Sequence, residues 1–429
     1  MLDRRTFLIA GAAAGLVAPG AARAQTSPAP ARIAIAGAGA AGLSLASRLR
    51  GRMPNAKITV IDAKEEHYFQ PGFTLVGAGL WEPRDVVFPN ADFIPRGVEW
   101  VREAVAEFDP EGNALVTTGG RRVAYDFLFV ATGLKLDYAA IEGMDPARIG
   151  QDGIASIYAG PEAAAASYRA IEDFIRTGGV GLFGRPPTEM KCAGAPLKIT
   201  FITEDLARRQ GRREAVELIY NAHSDVVFTV PPVNAKVHEL FAARGIAVNQ
   251  GHVLTAIDAA ARRATYRMAG GEVTLDYEFI HVVPPMRAPD AVRASPLPWQ
   301  EGALAADGWV EADRATLRHP RYANVFAVGD VAGVPRGKTA ASVKWQVPVV
   351  VENLVAEAAG RAPTAAFNGY TSCPMVTAFG KAMLIEFDYE GTLTPSFPFI
   401  APLEELWISW LIEEKGLKGA YRAMLRGLA

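Results

Sequence analysis

Cys192, in MKCAGAPLKITF (residues 190–201), and Cys373, in GYTSCPMVT (369–377), are the only cysteines in 429 residues. Sulfur can act as nucleophile, leaving group and electron carrier, and two thiols that meet can exchange a disulfide with a third sulfur. The same pair would serve equally as a fixed cross-link in an exported protein, or as two buried thiols. The cysteines alone leave these readings open. Lys191 adjoins Cys192, where a cation favours the thiolate. Glu189 and Glu204 flank the segment and are candidates for moving protons. No metal ligation is expected.

A second pattern speaks of phosphate binding. RIAIAGAGAAGL opens with an apolar strand and runs into Gly37, Gly39, Ala41 and Gly42, a G-x-G-x-x-G spacing followed by a helical pattern and then by the strand KITVID ending at Asp62. Gly37 permits the tight turn, Gly39 lets a pyrophosphate approach the backbone, and Gly42 lets helix pack on strand. The helix N-terminus offers free N–H groups to the phosphates, and Asp62 is placed to accept from the adenosine ribose. Two later stretches select the dinucleotide. YDFLFVATG ends in Ala131-Thr132-Gly133, and NVFAVGD delivers Gly329-Asp330, whose acid can bond a ribityl chain. Both resemble motifs of flavoproteins of the disulfide-reductase type, which implies FAD. Lys338, soon after, is a candidate to stabilise negative charge on the flavin.

Where a second nucleotide fingerprint would lie, residues 178–196 read GGVGLFGRPPTEMKCAGAP. The strand is there, but Pro186 and Pro187 remove N–H donors from the loop that would hold a pyrophosphate. NADH is therefore not the expected electron donor. Cys192 falls just beyond that loop.

These segments need a large α/β frame, and the composition allows it: 50% of residues are hydrophobic. A formal charge of −2 argues against nucleic acid as partner. The first residues, MLDRRTFL, then an apolar run and Ala22-Arg23-Ala24, have the shape of an export signal, with Arg4-Arg5 matching the twin-arginine kind. The expected location is the periplasm. At the other end, Trp407 and Trp410 neighbour apolar residues, followed by Lys415, Lys418, Arg422 and Arg426, a composition suited to an amphipathic anchor at a membrane surface or to a helical pair packed on the body. Phe379, Phe387, Phe397 and Phe399 are candidates to line an apolar slot.

HYFQPGFTLVGAG (67–79), IPRGVEW (94–100), LDYAAIEG (136–143), KCAGAP (191–196), HVVPPM (281–286), KTAASV (338–343), GYTSCP (369–374) and EFDY (386–389) together resemble the sulfide:quinone oxidoreductase family, in the branch that includes the mitochondrial enzyme. The resemblance implies that Cys192 and Cys373 form a redox-active pair at the flavin. Sulfide attacks Cys373, which becomes a persulfide; Cys192 is released as the thiolate that donates electrons to FAD. A membrane quinone then takes the electrons, and a thiol, sulfite or another sulfide takes the sulfur. Other branches use a third cysteine, which this sequence lacks. Rival readings are the flavin subunit of a flavocytochrome c sulfide dehydrogenase, a single-subunit NADH:quinone dehydrogenase, and a non-catalytic flavoprotein with a fixed staple. A homo-oligomer is left open.

The expected fold class is α/β, with two Rossmann-like (FAD/NAD(P)-binding) domains, the second inserted in the first, plus a C-terminal amphipathic membrane-facing segment. The expected divisions are a signal over 1–24, FAD-binding segments over 32–145 and 291–365, a second Rossmann-like domain over 146–290, and a C-terminal segment over 366–429.

Overall fold

A computed structural model describes residues 25–428; the expected export signal lies outside the described residues. Its first sheet has the strand order Val325–Ala327, Phe127–Val130, Arg32–Ala36, Lys57–Ile61, Glu99–Val101, parallel throughout. RIAIA and KITVI are each buried at every position but the first, as expected of strands covered on both faces. The helix Ala40–Arg52 leaves the first strand and buries Leu43, Leu45, Ala46 and Leu49, partly against the helix Ala340–Ala358.

A second parallel sheet has the order Ile154–Ala155, Phe279–His281, Gly179–Gly184, Val216–Asn221, Ile246–Asn249. All its strands lie in sequence between Phe127–Val130 and Val325–Ala327 of the first sheet. The helix Ala195–Arg209 packs on it and carries the Cys192 segment at its N-terminal end.

The antiparallel hairpin Thr371–Ala378 and Lys381–Phe387 packs against that helix. Gly369, Tyr370 and Pro374 suggest a tight loop beside a short strand; Cys373 stands within the strand itself, eight residues long, opposite Ile385. Pro374 is tolerated there because the strand has one neighbour only, so the missing N–H breaks no second ladder.

The chain ends in Trp407–Leu411, a π-turn over Ile412–Gly416, and the helix Leu417–Leu425. This last helix lies against Ser47 and residues 81–93. Lys418 sits over Trp81 at 5.1 Å, Arg422 over Phe88 at 5.1 Å and Arg426 over Phe93 at 4.6 Å. Ser47 Oγ donates to the Leu425 carbonyl at 2.7 Å. Three of the cations expected at a lipid surface thus cover an aromatic ladder of the body. The outward apolar groups of the C-terminal region are Phe399, Trp407, Ile408 and Leu428. No helix among the described residues is long and apolar enough to cross a membrane.

Candidate active site

The two cysteines, distant in sequence, meet where the helix Ala195–Arg209 begins. Cys192 has φ +48, a left-handed backbone that a non-glycine residue holds only at some cost. Three bonds fix it: its N–H donates to the Lys338 carbonyl at 3.1 Å, and its own carbonyl accepts from the Ala195 N–H at 2.9 Å and from the Tyr158 hydroxyl at 3.1 Å. Gly194 then makes room for the partner. A Cβ at that position would lie 2.3 Å from the Cys373 Sγ. Both residues are free thiols here, and they stand within hydrogen-bonding reach of each other.

The pair is electrically unequal. The Cys373 thiol donates to Cys192, and with the nearby Lys198 ammonium it brings Cys192 down to about 6 against the opposing effect of burial. The same hydrogen bond and burial push Cys373 well up. The dithiol therefore carries its negative charge on Cys192.

Lys198 was not singled out in the sequence. Its Nζ lies 3.4 Å from Glu413 Oε1, with the two side chains 3% and 2% exposed. Glu413 belongs to the π-turn, a local distortion frequent at functional sites, and its Oε2 is buried with no hydrogen-bond partner. The available signal was local: Lys198 interrupts APLKITFIT, a helix start that turns no polar face to water. Nothing in the sequence tied it to Glu413.

Beside the thiols lies a cradle that fits a dinucleotide. Gly37 has φ +112, and a Cβ there would meet the Ala131 carbonyl at 2.4 Å; at Gly42 it would meet the Gly37 oxygen at 1.8 Å. At Gly39 and at Gly133 it would meet nothing within 4 Å. The fingerprint is therefore tight where backbone packs on backbone and open where phosphate approaches. The following helix has no acidic residue in its first turn to compete with an anion. Asp62 accepts from the N–H of Ala38 at 2.7 Å and of Lys64 at 2.8 Å, so it braces the loop. Ala131 N–H joins the Ala36 carbonyl at 2.8 Å, and Thr132 Oγ1 is buried without a partner. On the other side, Gly329 N–H donates to Gln346 Oε1 at 2.8 Å. Ala41 Cβ lies 3.2 Å from where a Gly329 side chain would begin. Burial raises the Asp330 carboxyl, opposed by Lys191 and Lys338. The Lys338 Nζ donates to the Asp330 and Ala332 carbonyls at 2.7 and 3.1 Å and lies 3.6 Å from the Trp309 ring centre. It clamps the turn that carries Asp330, a local task beside the electrostatic one read from the sequence. Lys191 Nζ donates to Gln70 Oε1 at 2.7 Å, and burial brings Lys191 and Lys338 each down to about 8.

His67 Nε2 lies 2.7 Å from the Tyr421 hydroxyl and ties the strand Glu66–Tyr68 to the last helix. Other expectations scatter. Glu204 stands among Arg208, Arg213 and Arg244 at the far end of its helix. Phe379 packs on Trp410, Phe387 on Phe228, and Phe397 on Phe399, so these four rings form separate pairs.

Comparison with known proteins agrees with this arrangement. Residues 31–169 match the family model described as pyridine nucleotide-disulphide oxidoreductase. The mitochondrial sulfide:quinone oxidoreductase of Dictyostelium discoideum is 35% identical over 393 residues, covering 90% of this chain and 84% of that protein. The mouse enzyme of the same name is 33% identical over 390 residues, again 90% and 84%. The X-ray structure of the sulfide:quinone oxidoreductase from Aquifex aeolicus shares the fold, with a TM-score of 0.77 at 22% identity over 92% of this chain and 91% of that one. With a paired-cysteine centre beside a dinucleotide cradle, and with relatives this similar along nearly their whole length, the chain belongs to the sulfide:quinone oxidoreductase family.

Proposed function

We propose that this protein is an FAD-dependent sulfide:quinone oxidoreductase whose reacting groups are Cys192 and Cys373. The observation that carries the reading is the meeting of these two thiols under Gly194, with the negative charge held on Cys192. In the oxidised enzyme the two sulfurs form a disulfide. Hydrosulfide bonds to the Cys373 sulfur, the S–S bond breaks, and Cys192 leaves as a thiolate, as thiol–disulfide exchange requires. The Cys373 hydrogen bond of the resting dithiol is then gone, and Lys198 remains as the cation that favours charge on Cys192. FAD, when bound, would supply the two-electron link between the dithiol and a quinone. Gly37, Gly39, Ala41 and Gly42 would hold its phosphates, Asp62 the adenosine side, and Ala131, Thr132, Gly133, Gly329 and Asp330 the flavin side, with Lys338 fixing the last turn. The outer sulfur of Cys373 passes to an acceptor and the disulfide re-forms.

The division into cradle segments over 32–145 and 291–365, an inserted unit over 146–290 and a C-terminal segment from 366 belongs to the same proposal. So does contact with the membrane surface through Trp407, Ile408 and Phe399, where the quinone resides. The twin-arginine reading of residues 1–24 places the enzyme in the periplasm, peripheral to the inner membrane. Anaerobic sulfide is expected to bleach the flavin of the purified holoenzyme, and a short-chain ubiquinone to restore its colour. Bound flavin that sulfide leaves untouched defeats the proposal.

A further inference from the structure

The carboxyl ends of the second sheet hold a cation without a hydrogen-bond partner. Arg185 follows the strand Gly179–Gly184 directly, and its Nε and Nη1 are buried with no hydrogen-bond partner. Among the described residues no carboxylate forms an ion pair with it. Next to it in the sheet runs Val216–Asn221, registered with Gly184 opposite Asn221. That strand supplies Tyr220, fully buried with its hydroxyl unpartnered, and just beyond it His223, whose Nδ1 is likewise buried and unpartnered. Arg185 acts electrostatically on both. Burial, reinforced by that guanidinium, brings His223 down to about 4, so the imidazole is neutral near pH 7.

Three polar groups converge here without protein partners, and one is a fixed positive charge. Buried polar atoms are ordinarily satisfied, and a half-buried guanidinium without a counter-ion is costly unless an anion joins it. The crevice outside the carboxyl ends of a parallel sheet is where this architecture binds ligands. Pro186 and Pro187 withhold the N–H groups a pyrophosphate needs, which leaves the guanidinium as the anchor for something smaller. The cluster also neighbours the reacting sulfurs. Tyr158, which holds the Cys192 carbonyl, lies within the electrostatic reach of Cys192, Cys373, Tyr220 and Arg185 together.

We propose that Arg185, with Tyr220 and His223, forms the binding site for a small anionic sulfur acceptor, a sulfite-like oxyanion that enters where a nucleotide would otherwise lie. A planar guanidinium suits such oxygens, since it offers them paired N–H donors. The proposal rests on the sulfide-oxidising reading above. In the step it serves, the sulfite lone pair forms a bond to the outer sulfur of the Cys373 persulfide. The inner S–S bond breaks and Cys373 departs as a thiolate. The persulfide anion plus sulfite gives the thiolate plus thiosulfate, so charge is conserved and no outside oxidant or reductant is needed. The two electrons removed from sulfide rest on the Cys192 thiolate at this stage and leave for the flavin as the freed Cys373 thiolate bonds to the Cys192 sulfur and the disulfide re-forms.

The test uses the full-length holoenzyme with sulfide, a short-chain ubiquinone, and either sulfite or the neutral thiol 2-mercaptoethanol as acceptor. Arg185→Met is expected to raise the sulfite KM tenfold or more and the 2-mercaptoethanol KM less than threefold. Arg185→Lys, which keeps the charge and loses the fork, should fall between wild type and Arg185→Met, and Tyr220→Phe should raise the sulfite KM about threefold. Should Arg185→Met fail to retain FAD, Arg185→Lys and Tyr220→Phe decide alone. A sulfite KM within twofold of wild type in the folded variants overturns the site, as does an equal rise for both acceptors. Wild-type flavin that sulfide fails to bleach anaerobically would instead sink the underlying function, so the two failures are distinct.

Discussion

Gly194 offers the sharpest test of the paired-cysteine geometry. Its φ of −83 is ordinary for any residue, so Gly194→Ala introduces no backbone strain, and at a helix N-cap the exchange costs about 0.5 kcal/mol. The added methyl, however, would sit 2.3 Å from Cys373 Sγ and 3.5 Å from Met375 Cε. Non-bonded heavy atoms settle at about 3.5–4.0 Å, so the sulfur must retreat by roughly 1.2–1.7 Å. A disulfide of about 2.05 Å tolerates little of that, and a misplacement of about 1 Å at a reacting centre costs on the order of a hundredfold in rate. Gly194→Ala should therefore keep its FAD and melt within about 2 °C of wild type, while sulfide-driven flavin bleaching slows about a hundredfold in stopped flow. Counting thiols in the oxidised, denatured protein should show both cysteines free, where wild type shows none. A variant that loads FAD, hides its thiols and bleaches within threefold of wild type would refute the claim that Gly194 sets the approach of the sulfurs.

Three further outcomes are expected. In the reduced protein, Cys192 should alkylate with a midpoint near pH 6, because its value is lowered to about 6 and the thiolate is lost as pH falls through it; a midpoint above 8 contradicts the charge placement. Lys198→Met should move that midpoint upward by on the order of one unit, about 1.4 kcal/mol, because the variant removes a cation that favours the thiolate; an unmoved midpoint means that Lys198 serves packing alone. Replacing both Trp407 and Ile408 by Ser should weaken co-sedimentation with anionic lipid vesicles at least tenfold, about 1.4 kcal/mol, with soluble-quinone turnover as the control. Unchanged sedimentation would move the membrane contact elsewhere.

Local patterns were legible in the sequence, and long-range meetings were less so. RIAIAGAGAAGL announces its strand, turn and helix because each depends on neighbours a few residues apart, and the cradle appears where the glycines place it. The encounter of Cys192 with Cys373 was reached through resemblance, since a turn ahead of a helix and a strand far along the chain share no local signal. Lys198 and Glu413 escaped for the same reason, and because a lysine in a helix reads as solvated until its neighbours are known. The strand around Cys373 was masked by Pro374, which ordinarily argues against a ladder and is allowed here by a free edge. The C-terminal cations were legible as amphipathic, but composition cannot distinguish a lipid headgroup from the faces of Trp81, Phe88 and Phe93.

The reach of Glu413 back to Lys198 has a bearing on biosynthesis. A ribosome releases the Cys192 region long before the residue that neutralises its buried lysine. Tyr421, which closes on His67, emerges later still. A nascent chain that stops short of Glu413 thus lacks the counter-charge of Lys198. Completion of the cysteine centre in this way waits on segments translated well after it.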